Sequence, residues 1–285
     1  MTEVKNILVA LDLTNIDDTL INYTSFISEL LGAEKVYFVH NIKKYEISEL
    51  FKEELKDLNL DKIIGDELDE KITSTFKSNT PWEVLISEDP YTESLINYIS
   101  HKYSIDLAIL GNKPSGKGSG VVSSKLLRML KCDLLSIPPT ARPEINNIWI
   151  GTDFSKPSQE AFQRGVKLKE LTSANINLVH VFNVPVQFTP YLVKEEVAPK
   201  IETHVREKAA KFLKKLNYKK ESDLKIYPGR DASVGEKLLV EAKRDKADMI
   251  ILSDKGSNAV SALMVGSVTD EVFNQELPAP LWITK

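Results

Sequence analysis

The chain has 285 residues, 42% hydrophobic and 27% charged, which is ordinary globular usage and enough length for about two domains. Its formal net charge of −4 gives no basic surplus, which argues against nucleic acid or an anionic membrane as a partner. A single cysteine, Cys132, excludes an internal disulfide, and no apolar run approaches the ~18 residues of a membrane span, so a cytoplasmic protein is expected.

In chain order, the first apolar run, Asn6 to Leu11, stops at Asp12, too short for a signal-peptide core, and reads as a strand. A helical pattern follows over Asp18 to Leu31, with Leu20, Ile21, Tyr23, Thr24, Ile27, Leu30 and Leu31 on one face and Gly32 placed as a C-cap. Val36 to His40, Asp106 to Leu110 and Leu134 to Ile137 read as further strands, and Ser48 to Phe76 as a polar helical segment. The apolar runs are short, rich in Ile, Val and Leu, and lack polar alternation, as expected of parallel strands covered on both faces. Pro138, Pro139 and Pro143 mark a seam.

Beyond the seam the pattern begins again. Asn6 to Thr14 reappears as Asn147 to Ser155, a shift of 141 positions, and Val36 to His40 and Asp106 to Leu110 return as Ile176 to His180 and Asp248 to Leu252. Ser155 precedes Pro157 as an N-cap with proline in the first turn, the helix running to about Leu171. Tyr191 to Leu216 takes the place of Ser48 to Phe76, and its Lys211, Lys214 and Lys215 read as a solvated face. The expected architecture is α/β: two tandem doubly wound parallel-sheet domains, 1–140 and 144–285, related by an internal pseudo-two-fold.

In an open parallel sheet, ligands bind beyond the carboxyl ends of the strands where strand order reverses. Asp12 and Asp153 each follow the first strand of their copy, and each reads either as a cap of the next helix or as a ligand contact. After the fourth strand of the second copy comes Ser253-Asp254-Lys255-Gly256, then nine residues, then Gly266-Ser267 opening a helix at Val268. Glycines that let backbone N–H groups approach an anion, and a hydroxyl at a helix start, suit a phosphate chain; an ordinary strand-to-helix loop is the alternative.

This pattern resembles the nucleotide loop of ATP-binding universal stress proteins, Gly-x2-Gly-x9-Gly-Ser/Thr, with Ser253 in place of the first glycine and Gly256, Gly266 and Ser267 in register. Asp153-Phe154-Ser155 and Asp12-Leu13-Thr14 resemble the family's opening Asp-x-Ser, and His180-Val181 its second-strand ending. The resemblance implies a Rossmann-like, adenine nucleotide α-hydrolase-like fold in each copy and a regulatory protein of the stress response. It implies that ATP, ADP or AMP, with Mg²⁺, sits in the second copy. Asp153 would face the adenine and ribose end, the Val181 backbone would border the adenine, and Gly256, Gly266 and Ser267 would hold the phosphates, with Phe154, Ser155, Ser253 and Val268 also counted among the cofactor-binding residues. Ser253 cannot adopt glycine-only backbone angles at low cost, so the first loop contact is expected to differ. In the first copy, aligning Gly120 with Gly266 leaves a shorter loop and puts Val121 where the hydroxyl belongs, so that site is expected to be degenerate for ATP.

Other chemistry finds little support. The turn after each first strand is not glycine-rich, which excludes a dinucleotide fingerprint, and Lys117-Gly118-Ser119-Gly120 lacks the order of a P-loop. No acidic pair accompanies Asp12 as a phosphate-acceptor domain would require. His40, His101, His180 and His204 lack metal-ligand spacing; His40 and His180 read as core residues, and Cys132 as a buried, inert thiol. No base or nucleophile stands out near the loop, so at most a slow ATPase is expected. The competing expectation is an interaction module of the same fold that has lost the nucleotide or holds an apolar ligand. Single-copy relatives of this kind pair sheet edges about a two-fold axis, so the last strands, Leu134 to Ile137 and Leu281 to Thr284, are expected to make an intramolecular pseudo-dimer, with a homodimer as a further level of assembly.

Overall fold

The computed structural model describes residues 3–43, 55, 58–113, 120–183, 194–218, 224–229, 232–256 and 264–285, with only the backbone of 120, 183 and 194–198. The chain divides into two compact units, Thr2–Glu144 and Ile145–Thr284. In the first, β1 (Asn6–Leu11), α1 (Ile16–Leu31), β2 (Lys35–Asn41), α2 (Leu60–Thr75), β3 (Trp82–Ser87), α3 (Thr92–Lys102), β4 (Leu107–Gly111), α4 (Gly120–Met129) and β5 (Asp133–Ile137) alternate along the chain. The second repeats the alternation with β6 (Asn147–Gly151), α5 (Lys156–Thr172), β7 (Asn175–Asn183), α6 (Lys194–Lys215), β8 (Leu224–Gly229), α7 (Val234–Arg244), β9 (Met249–Ser253), α8 (Ser267–Phe273) and β10 (Leu281–Thr284).

Within each unit the strands pair in parallel, in the order β3-β2-β1-β4-β5 for the first and β10-β9-β6-β7-β8 for the second. Read from the far end, the second order is the same as the first. The order reverses between β1 and β4 and between β6 and β9, so each unit has one switch point beside its central strand.

The central strands bury both faces: Ile7, Leu8 and Val9 in one unit, and Ile148, Trp149 and Ile150 in the other, are fully covered. One carboxylate registers the strand starts in each unit. Asp106 Oδ2 accepts the backbone N–H groups of Lys5 and Asn6 at 2.9 Å each. Asp248 Oδ2 accepts those of Asn146 and Asn147 at 2.9 and 3.0 Å. The duplication read from apolar runs therefore extends to the same hydrogen bonds.

Helix ends follow local chemistry. Gly32 closes α1 in the left-handed region at φ 65°, its N–H donating to the Glu29 carbonyl. Ser155 caps α5, with Pro157 in the first turn. The polar segments Ser48 to Phe76 and Tyr191 to Leu216 contain α2 and α6; residues 48–54, 56–57 and 191–193 lie outside the described residues. Among the described residues, no helix is long and apolar enough to cross a membrane.

Candidate functional site

At the end of β6 the chain turns sharply. Phe154 takes φ 63°, the left-handed region that a bulky residue enters only when its surroundings hold it there. Its backbone N–H donates to Thr152 Oγ1 at 2.9 Å, and Thr152 N–H donates to the Val179 carbonyl at 2.9 Å. His180 Nδ1 lies 2.7 Å from the Thr152 carbonyl, so Nδ1 carries the ring proton. Burial holds the His180 pKa below its ordinary value, favouring the neutral imidazole.

This turn presents Asp153 at the strand edge. Asp153 Oδ1 accepts the Ser155 N–H at 2.9 Å and the Ser158 hydroxyl at 2.5 Å. Ser155 itself accepts from Ser158 N–H as the N-cap of α5. The helix cap is thus Ser155, and the Asp153 carboxylate is oriented by the cap without being it.

The loop after β9 is closed at both ends. Ser253 Oγ donates to the Lys255 carbonyl at 2.7 Å, Thr269 Oγ1 donates to the Ser253 carbonyl at 2.7 Å, and Asp254 N–H donates to the Thr284 carbonyl at 2.9 Å. Gly266 N–H donates to the Asp254 carbonyl at 2.7 Å, drawing the loop's two ends together. Residues 257–263 between them lie outside the described residues.

The glycines here contribute space. A Cβ on Gly256 would stand 3.3 Å from Asp153 Oδ2, and one on Gly266 would stand 3.3 Å from Gly256 N, while neither residue has a positive φ. Ser253 also has no positive φ, so serine occupies without strain the position where the family pattern has glycine.

Between these segments lies a cavity of about 520 Å³, within the usual range for small-molecule sites. It sits at the carboxyl ends of β6 and β9, at the switch point. Asp153, Val181, Ser253, Gly256, Gly266, Ser267 and Val268 all line it. Phe154 and Ser155 are not among the lining residues: the Phe154 ring packs on His180, centroids 4.7 Å apart, and against Phe212 in α6 at 5.8 Å. Thr152, Ser158, Lys255 and Thr269 line the cavity too, and Val234 and Leu238 of α7 form part of an apolar wall. Sequence reasoning passed over these; the only signals were the hydroxyl one turn into α5 and the lysine inside the loop motif.

The universal stress protein family matches residues 144–285, the whole span of this sheet and its cavity. The chain belongs to the universal stress protein family. Solved structures share the fold over both units. A universal stress protein from Archaeoglobus fulgidus DSM 4304 has a TM-score of 0.65 at 16% identity, covering 100% of this chain and 99% of its own. A functionally unknown protein from Pseudomonas aeruginosa PAO1 has a TM-score of 0.68 at 15% identity, covering 99% and 92%. No curated protein matches the chain significantly.

In the first unit of this universal stress protein, the same turn carries different chemistry. Leu13 has φ 59°, matching Phe154, and Thr14 Oγ1 donates to Asp12 Oδ1 at 2.6 Å. Asp17 stands where the second unit has Ser158, and its carboxylate accepts the N–H groups of Asp12 and Leu13 at 3.3 and 2.8 Å. Asp17 is fully buried, and that burial, with the Asp12 carboxylate adding to it, raises its pKa to about 6. Asp12 Oδ2 forms an ion pair with Lys113, the counterpart of Lys255. The first-copy loop at 114–119, with its Lys117 to Ser119, lies outside the described residues. Val121 is exposed on α4, which starts one residue earlier, at Gly120.

The remaining candidates take structural places. His40 is buried, its Nδ1 3.0 Å from the Leu11 carbonyl, as His180 pairs with Thr152; His180, expected as a core residue, is half-buried and lines the second-unit cavity. Burial pushes the Cys132 thiol up to about 12, far from a reactive thiolate.

Proposed function

We propose that this universal stress protein is a regulatory protein that binds one adenine nucleotide, ATP, ADP or AMP with Mg²⁺ carried on the phosphates, in the cavity of its second unit. The observation that carries the reading is the convergence of Asp153, Val181, Gly256 and Ser267 on one cavity at the switch point. Asp153 has the polarity for ribose hydroxyls, Val181 offers backbone groups and an apolar surface to a purine, and Ser267 offers a hydroxyl to a phosphate. The close approach of Gly256 and Gly266 leaves room that side chains would fill.

The apolar wall, including Val179, Val234, Leu238, Leu252 and Met264, favours a second reading: an interaction module of the same fold that takes an apolar small ligand. Calorimetric titration with ATP and Mg²⁺, on the wild type and on Gly266→Val, separates the two, supported by mass spectrometry of nucleotide released from the purified protein. The expected result is one site per chain, lost in the variant. No heat and no released nucleotide would move the assignment to the interaction module.

A further inference from the structure

Two charged residues, Asp153 and Lys255, are among the described residues that line the cavity of the second unit. Their first-unit counterparts, Asp12 and Lys113, are paired with each other. In the second unit the pairing is different: Ser158 and Ser155 hold Asp153 Oδ1, and Lys255 makes no ion pair among the described residues. The two turns also differ in side chain at one position. Asp17 brings a second carboxylate to the first turn, and Ser158 brings a hydroxyl donor to the second.

Lys255 is also fixed at its backbone. Its carbonyl accepts the Ser253 hydroxyl, and its carbonyl carbon lies 3.6 Å from the position of a Cβ on Gly266. The lysine therefore stands between the loop's two ends, beside Gly256 and near Ser267. An ammonium on a flexible stem serves as a point charge for phosphate and can follow it along a short chain.

Building on the nucleotide reading above, we infer that Lys255 is the specificity-determining residue that sets the cavity's preference for nucleotides with longer phosphate chains. The second unit frees for the ligand the lysine that the first unit spends on its own aspartate. A di- or triphosphate carries more charge within reach of Lys255 than a monophosphate does, so the lysine's contribution grows with chain length.

The test measures dissociation constants for ATP, ADP and AMP with the full chain, for the wild type, Lys255→Gln and Lys255→Arg. The Gln variant is expected to weaken ATP about tenfold, as losing a charge-assisted contact does, and AMP by no more than about twofold. Lys255→Arg is expected to restore most of the ATP affinity, and raising salt to weaken ATP more in the wild type than in Lys255→Gln. Retained AMP binding shows that the Gln variant is folded. An unchanged ATP-to-AMP ratio in Lys255→Gln overturns the role of Lys255 and leaves the nucleotide reading standing. Absence of any nucleotide binding by the wild type overturns both.

Discussion

The Ser158 hydroxyl donates to Asp153 Oδ1 at 2.5 Å, the shorter of the two bonds, with that from the Ser155 N–H, that orient the carboxylate at the cavity edge. Ser158 is nearly fully buried, so its hydroxyl has no solvent to fall back on. Ser158→Ala is expected to destabilise the second unit by about 1.5–3 kcal/mol, the usual worth of a hydrogen bond to a charged group, in a urea titration. The same variant should weaken ATP, because Asp153 loses its orientation. A loss under about 0.5 kcal/mol would mean that the carboxylate is held without Ser158.

In the first unit the equivalent position gives a pH dependence. The folded pKa of Asp17, about 6, lies above its ordinary 3.8, because burial opposes the charged form. The folded state therefore keeps a proton that the unfolded state releases between about pH 4 and pH 6, and stability falls as pH rises through that window. The size is at most of the order of 3 kcal/mol. Asp17→Ser, which copies the second unit, should remove this component. The check is unfolding free energy of wild type minus variant across that range: a difference that does not decline with pH would show that Asp17 is ionised throughout.

The fold was legible because its signals are local. Apolar runs without alternation located the strands, Gly32 and Ser155 with Pro157 located helix ends, and the repeated Asn-Ile and Asp-x-Ser/Thr segments located the duplication. The site was legible only where a motif names its residues. Phe154 follows Asp153 in the motif, yet the left-handed turn packs its ring on His180 and Phe212, and it does not join the cavity lining. Nothing in a linear pattern encodes that reversal. Lys255 stands in sequence as an unassigned residue of the loop motif, and Ser158 as a residue of the first helical turn; both join the candidate site only when β6 and β9 lie side by side.

A further contact ties α8 to α7. The Glu271 carboxylate accepts the Ser233 hydroxyl and, at 3.3 Å each, the N–H groups of Gly235 and Glu236, placing a negative charge at the start of α7. A Cβ on Gly235 would come 2.6 Å from the Glu271 carboxyl carbon. Gly235→Ala should therefore cost about 1–2 kcal/mol in the wild type, by expelling the carboxylate. In a Glu271→Ala background the same change should cost under about 0.5 kcal/mol, since nothing is left to expel. Additive losses in the double-mutant cycle would show that the two residues do not share this contact.

At the paired left-handed residues, Leu13 and Phe154, strain and packing pull in opposite directions. Leu13, at φ 59°, is substantially exposed, so Leu13→Gly relieves backbone strain and gives up little contact. The added freedom of glycine in the unfolded chain offsets that relief, and the variant should stay within about 0.5 kcal/mol of wild type. Phe154→Gly relieves the same strain but removes a ring that packs on His180 and Phe212. Losing an aromatic side chain from a packed cluster typically costs about 3 kcal/mol, which exceeds the strain relieved, so a net loss of about 2 kcal/mol is expected. Urea unfolding of the two variants side by side measures this. Equal effects at the two positions would show that the Phe154 ring contributes nothing beyond its backbone, and the turn before the cavity would then owe its shape to Thr152 and Asp153 alone.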